Sequence, residues 1–194
     1  MRTRILAPFV AAAALLTSAP AHADVSSWFA FGGGYGVARD GVASDTSRAT
    51  TMSMSLGVGS SPRAKFVGGG LLRTVTFFTL GTDLSLGPRF CTGGFARGQW
   101  GLAVDAGVVG RFWNDGAYGR FPVQGIVTLG APWGVQLGLG AQAFNLGSGP
   151  SASSGFAVLE IDLLRLTVMR QGATDSTWPN PSPAGGRDRD RAAR

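Results

Sequence analysis

Bulky apolar residues alternate with very small ones along most of this chain, and that two-residue period constrains the fold more than any other feature. In TTMSMSLGVG, Met52, Met54, Leu56 and Val58 fall on one side of the period, and Thr51, Ser53, Ser55, Gly57 and Gly59 on the other. Side chains alternate between two faces only in an extended chain, so the stretch reads as a strand. FTLGTDLSLG repeats the pattern, with Phe78, Leu80, Leu84 and Leu86 opposing Thr79, Gly81, Asp83, Ser85 and Gly87. QWGLAVDAGVVGRF sets Trp100, Leu102, Val104, Ala106, Val108 and Phe112 against Gln99, Gly101, Ala103, Asp105, Gly107 and Arg111. In WGVQLGLGAQAF, Trp133, Val135, Leu137, Leu139, Ala141 and Ala143 oppose Gly134, Gln136, Gly138, Gly140 and Gln142. None of the four has helical periodicity.

Four less regular segments fill the intervals. WFAFGGGYGVA sets Phe29, Phe31, Tyr35 and Val37 against Ala30, Gly32, Gly34 and Gly36, and RFPVQGIVTLG sets Phe121, Val123, Val127 and Leu129 against Arg120, Gln124 and Thr128. GFAVLEIDLLRLTVMR puts Glu160 and Asp162 opposite Leu159 and Ile161, then slips phase at Leu163-Leu164, as a bulge or bend would make it. In KFVGGGLLRTV three consecutive glycines blur the faces. Together these give eight strands. The links RDGVASDTS, WNDGAYG and NLGSGPSASS are longer and rich in turn formers, whereas SSPRA and APWG are short. Long loops at one end and short turns at the other follow if the strands run up and down. The third-to-fourth link near Thr74 to Phe77 is too short for this scheme, and GPRFCTGGFARG is too long.

The face of small residues decides what surrounds the sheet. A soluble sandwich packs its apolar face inward and covers the other with Lys, Glu, Thr and Arg. Here the second face is mostly Gly, Ala, Ser, Thr and Gln, which suits the crowded inside of a narrow barrel. The bulky face is then outside, where lipid suits it. A tilted membrane-spanning strand needs about 9 to 11 residues, close to the length of these segments. Lipid also requires every backbone polar group to be paired, so the sheet must close without edges. Trp28, Trp100, Trp113 and Trp133 sit near strand ends and are expected to form aromatic girdles at the two interfaces.

The flanking segments agree with export. Arg2 and Arg4 precede an apolar run from Ile5 to Leu16 that is too short to span a bilayer, and Ala21-His22-Ala23 offers a cleavage site before Asp24. Residues 1–23 read as a cleaved secretory signal, 24–170 as the barrel, and 171–194 as a flexible tail of Pro, Gly and paired charges. Cys91 is the single cysteine, so no internal disulfide forms, and a buried or turn role is expected for it. Between Asp24 and Arg170 the basic surplus is three and scattered, which leaves no clustered footprint for nucleic acid. Charged residues make up 14% of the chain, against roughly 25% in soluble domains, as a chain with a lipid-facing wall requires.

From Ser26 to Arg170 the chain resembles the small eight-stranded outer-membrane barrels of Gram-negative bacteria, the OmpA and OmpX-like group. The resemblance rests on the signal, the even strand count, the outward-apolar alternation and the alternation of long loops with short turns; no motif assigns a subfamily. It implies location in the outer membrane, contact with its lipid, and surface or envelope interactions through the long loops. Such barrels often end on an aromatic residue, whereas this one runs past Met169-Arg170 into a tail.

Little in the chain points to catalysis. The only histidine, His22, lies in the signal, so Ser-His-Asp and Cys-His arrangements and His-ligated zinc are excluded from the mature protein. Outer-membrane enzymes of similar architecture, the lipid A deacylases, palmitoyltransferases and omptin proteases, depend on a histidine. GGGYG and VGGG are followed by neither Lys-Ser nor Lys-Thr and open no helix, so they are not phosphate cradles. No catalytic residue, cofactor or metal ligand is expected. Asp83, Asp105, Arg111, Arg120, Glu160 and Asp162 fall on the small-residue face, and buried charges there require pairing, so they are expected to form a polar network filling the barrel. Eight strands enclose just enough width for side chains, so no open pore is expected. Three functions follow for comparison: a non-enzymatic outer-membrane barrel, a secreted lipocalin-like barrel holding an apolar ligand, and an envelope enzyme that works without histidine, for which no constellation is present.

Overall fold

A computed structural model of the chain describes residues 25–114 and 116–164. The expected signal at 1–23 and tail at 171–194 lie outside the described residues. Eight strands follow in chain order: β1 (Ser26–Arg39), β2 (Thr46–Gly59), β3 (Phe66–Phe77), β4 (Gly81–Thr92), β5 (Gly101–Trp113), β6 (Pro122–Gly130), β7 (Val135–Asn145) and β8 (Ser153–Asp162). Each pairs antiparallel with the next, and β8 returns to β1 from Ala30↔Asp162 to Arg39↔Ser153. The result is the closed all-β, up-and-down antiparallel barrel that the alternation implies.

The register fixes its dimensions. Following paired residues around the barrel leads from Ala103 through Thr128, Gly138, Val158, Gly34, Thr51, Phe77 and Gly81 to Trp113. One circuit therefore advances ten residues along β5. With strands about 4.8 Å apart and about 3.3 Å of rise per residue, that stagger tilts the strands by about 40° and gives a backbone radius of about 8 Å. So narrow a barrel forces inward side chains to converge on the axis.

Burial alternates with the strand period. In β2, Thr51, Ser53, Ser55 and Gly57 are buried while Met52, Met54, Leu56 and Val58 are 41–55% exposed. The bulky side is thus the outer wall and the small, polar side the interior. Outward aromatics cluster at the strand ends: Tyr35, Phe78, Phe112, Phe121 and Phe144 at the end where β1 finishes, and Phe66, Phe90, Trp100 and Trp133 at the end where it starts. Trp100, directly before β5, and Phe112 within it are twelve residues apart, which at a tilt of about 40° places the two belts about 30 Å apart.

Several boundaries differ from the sequence reading. β3 runs on to Phe77, and a three-residue turn with Thr79 at φ 78° leads into β4 at Gly81, so Phe78 and Leu80 belong to the turn. β4 then absorbs much of GPRFCTGGFARG by continuing to Thr92. Its pairing with β5 lapses at Gly87 and Pro88, where proline brings no N–H to the ladder. The long links 40–45, 114–121 and 146–152 do share one end, together with the turn 78–80. The other end holds 60–65, 131–134 and the eight-residue link 93–100, which contains helix α1 (Gly93–Ala96). β8 stops at Asp162, and Leu163 and Leu164 take up a helical turn in place of the expected bulge; residues 165–170 lie outside the described residues.

Candidate functional site

Buried charged side chains converge in the interior. Inward positions on seven strands supply it, because parity in β2 to β8 puts Ser53, Arg73, Asp83, Ser85, Arg89, Asp105, Arg111, Gln124, Gln142, Ser154 and Glu160 on the small-residue face. All of them are at most 7% exposed.

Three ion pairs stack along the axis. Nearest the end with 40–45, Arg111 grips Asp83 with both Nε and Nη2, each at 3.1 Å. Its Nη1 donates to the Tyr118 carbonyl at 3.0 Å and its Nη2 to Ser154 Oγ at 3.2 Å and to Gln142 Oε1. Gln142 Nε2 donates to Gln124 Oε1 at 2.8 Å, and Gln124 Nε2 to Ser85 Oγ at 3.0 Å. In the middle, Arg73 meets Glu160 at 3.3 Å through both terminal nitrogens, and Ser53 Oγ donates to Glu160 Oε1 at 2.6 Å. Toward the other end, Arg89 forks onto Asp105 at 2.6 and 2.7 Å, with Arg73 Nη2 3.8 Å from the same carboxylate. Planar guanidinium forks matched to carboxylates give the strongest such pairs, which is why Arg and not Lys fills these positions.

Hydrophobic plugs cap the network. Phe77, Trp113, Tyr118 and Phe156 stack at one mouth, with Phe77 to Trp113 and Trp113 to Tyr118 ring centroids 5.0 and 4.8 Å apart. At the other, α1 folds Phe95 inward against Trp28, Val67, Cys91, Ala96 and Ala103. Thr92 Oγ1 caps that helix by accepting from Phe95 N at 3.3 Å. Two glycines make room: a Cβ at Gly130 would lie 2.7 Å from the Phe95 ring, and one at Gly36 would lie 2.5 Å from the Phe77 ring. The Arg89 guanidinium lies 5.3 Å over Trp28 and 5.4 Å over Phe95, joining plug to network.

Of the residues expected in the network, Asp83, Asp105, Arg111 and Glu160 are brought together. Asp162 is also fully buried, but it accepts from backbone, Leu164 N at 3.1 Å and Phe29 N at 3.5 Å. Arg120 is corrected: β6 starts only at Pro122, so Arg120 lies in an exposed bend, where its carbonyl accepts from Arg111 N at 2.8 Å. Arg73 and Arg89 join the network although the sequence pattern does not point to them. The glycine run hides the parity of Arg73, and GPRFCTGGFARG has the composition of a link, although Arg89 shares the odd parity of Asp83 and Ser85. Two of the girdle tryptophans are corrected as well. Trp28 is 0% exposed and points inward, and Trp113 is half-buried between Phe77 and Tyr118. Trp100 and Trp133 stand outward, 67% and 68% exposed.

Asp83, Asp105 and Glu160 each hold an arginine, between the two hydrophobic plugs. Among the described residues no three His, Cys, Asp or Glu side chains gather as a metal site needs. Comparison with protein-family models, with curated proteins and with solved structures finds no match for this chain.

Proposed function

We propose that the protein is a non-enzymatic barrel of the outer membrane, of the small OmpA/OmpX-like kind, exported through a cleaved signal and serving envelope structure or surface interaction. The observation that carries this reading is the inverted wall. Bulky apolar side chains face out between two aromatic belts about 30 Å apart, the thickness of a bilayer's hydrocarbon, around a polar, filled interior. A lipocalin-like carrier needs the reverse, an apolar cavity within a polar exterior, and the ion pairs occupy the space where such a ligand would sit. The loops 40–45, 114–121 and 146–152 gather at one end and are the surface offered to partners.

Cell fractionation tests the proposal. The mature protein should require detergent for extraction, migrate differently on gels before and after heating, and show tryptophan emission quenched by brominated lipid through Trp100 and Trp133. Recovery in aqueous supernatant with no quenching would overturn it. Deleting the gene and measuring envelope permeability and adhesion then separates a structural from a surface role.

A further inference from the structure

Inside the barrel, Gln136 Nε2 and Oε1, Thr128 Oγ1 and Arg73 Nε have no hydrogen-bond partner among the described residues. All three side chains are at most 1% exposed. The register brings them together. Thr128 on β6 stands directly opposite Gly138 on β7, and Gln136, the neighbouring inward position along β7, stands opposite Glu160 on β8. Arg73 reaches in from β3 and holds that same Glu160 at 3.3 Å. Gly138 leaves space between them: a Cβ there would lie 3.8 Å from both Arg73 Nη1 and Thr128 Oγ1, and 3.1 Å from Val158 Cγ2. A hollow with polar walls and one apolar side therefore lies over the inner face of Gly138.

The chemistry of the walls selects the occupant. Buried polar groups are hydrogen-bonded, and a polar hollow that offers two to four partners is where buried water settles. The Gln136 amide both donates and accepts, the Thr128 hydroxyl does either, and Arg73 Nε only donates. An ion does not suit this set, because an anion would be pressed against Glu160 and a cation against Arg73, whose charges already match each other. An apolar occupant would leave all four atoms unpaired. We propose that this hollow is a binding site for water, held by Gln136, Thr128 and Arg73 in the space that glycine at 138 leaves. Gln136 then bonds to water before and after folding, so little stability rests on its own side chain.

The test uses the full mature protein in detergent micelles. Water–protein cross-relaxation in NMR, with glutamine side-chain amides and valine methyls labelled, detects water that stays long enough to be bound. Cross peaks to water are expected from the Gln136 Nε2 protons and the Val158 methyls. None is expected from Val67, equally buried in the plug beside Phe95. Gly138→Ala puts a methyl into the hollow and should abolish both peaks. Thr128→Val removes the hydroxyl that could relay proton exchange with solvent, and the peaks should survive it. Absence of both peaks in the folded parent, their persistence in Gly138→Ala, or their loss in Thr128→Val would each overturn the proposal. A saturating shift of the Gln136 side-chain amide as chloride replaces gluconate would reassign the hollow to an anion and likewise overturn it.

Discussion

The Arg89–Asp105 pair offers the sharpest energetic test of the interior. The guanidinium and carboxylate are 1% and 5% exposed and joined by two short bonds of 2.6 and 2.7 Å. Removing one member of such a pair strands a buried charge, which costs about 3–5 kcal/mol. The surroundings make the two removals unequal. Asp105→Ala leaves Arg89 without its carboxylate and takes from Arg73 a second anion at 3.8 Å, so it should cost the full ~4 kcal/mol. Arg89→Met leaves Asp105 with Arg73 still nearby and fills the plug against Trp28 and Phe95 with a flexible apolar side chain, so about 2–3 kcal/mol is expected. Arg89→Met with Asp105→Leu removes both charges and should return to within ~1.5 kcal/mol of the parent, because a buried pair and its apolar replacement are close in energy. The coupling between the sites is then about 4 kcal/mol or more. Urea unfolding in detergent micelles, followed by tryptophan emission, measures all four proteins. Additive single effects, with a coupling below about 0.5 kcal/mol, would refute the claim that these charges are held as a desolvated pair.

Further expectations concern other parts of the molecule. Phe95→Ala removes the side chain that closes one mouth and should cost about 3–5 kcal/mol in the same unfolding assay. Gln142 exchanges hydrogen bonds with Arg111, Ser154 and Gln124, whereas neither amide atom of Gln136, 1% exposed, meets a protein partner. Gln142→Leu should therefore destabilise by about 2–3 kcal/mol and Gln136→Leu by less than about 0.5 kcal/mol, and equal losses would contradict this network. In loop 40–45, the Asp40 carboxylate accepts from Val42, Ala43, Ser44 and Asp45 N–H groups at 2.7–3.0 Å. The bond from Val42, with the others, holds its pKa below the ordinary carboxylate value. Because the folded pKa is the lower one, the loop's added order is present above that ordinary value and is lost as pH falls through the folded pKa. Amide resonances of Val42 and Ala43 should hold their shifts down through about pH 4, move only in stronger acid, and lose that transition in Asp40→Asn.

What was legible in the sequence was the sheet and the sense of its faces. A period of two survives any tertiary arrangement, and a face made of Gly, Ser, Thr and Ala packs only where the chain curves tightly around itself, so TTMSMSLGVG already separated wall from interior. Parity is the reliable signal even where position along the strand points elsewhere. Trp28 has the parity of Ala30 and Gly32, and Trp113 that of Asp105 and Arg111, and that parity outweighs the nearness to strand ends that points both to the girdle. Arg120 failed for the opposite reason, since parity means nothing two residues outside a strand. Only the closed structure could decide the rest. Which arginine meets which carboxylate depends on a stagger of ten residues around eight strands, a property of the circuit that no single segment carries. The fold-back of α1 that seats Phe95 in the mouth depends on space left at Gly130, thirty-five residues away in sequence and adjacent only once the barrel has closed.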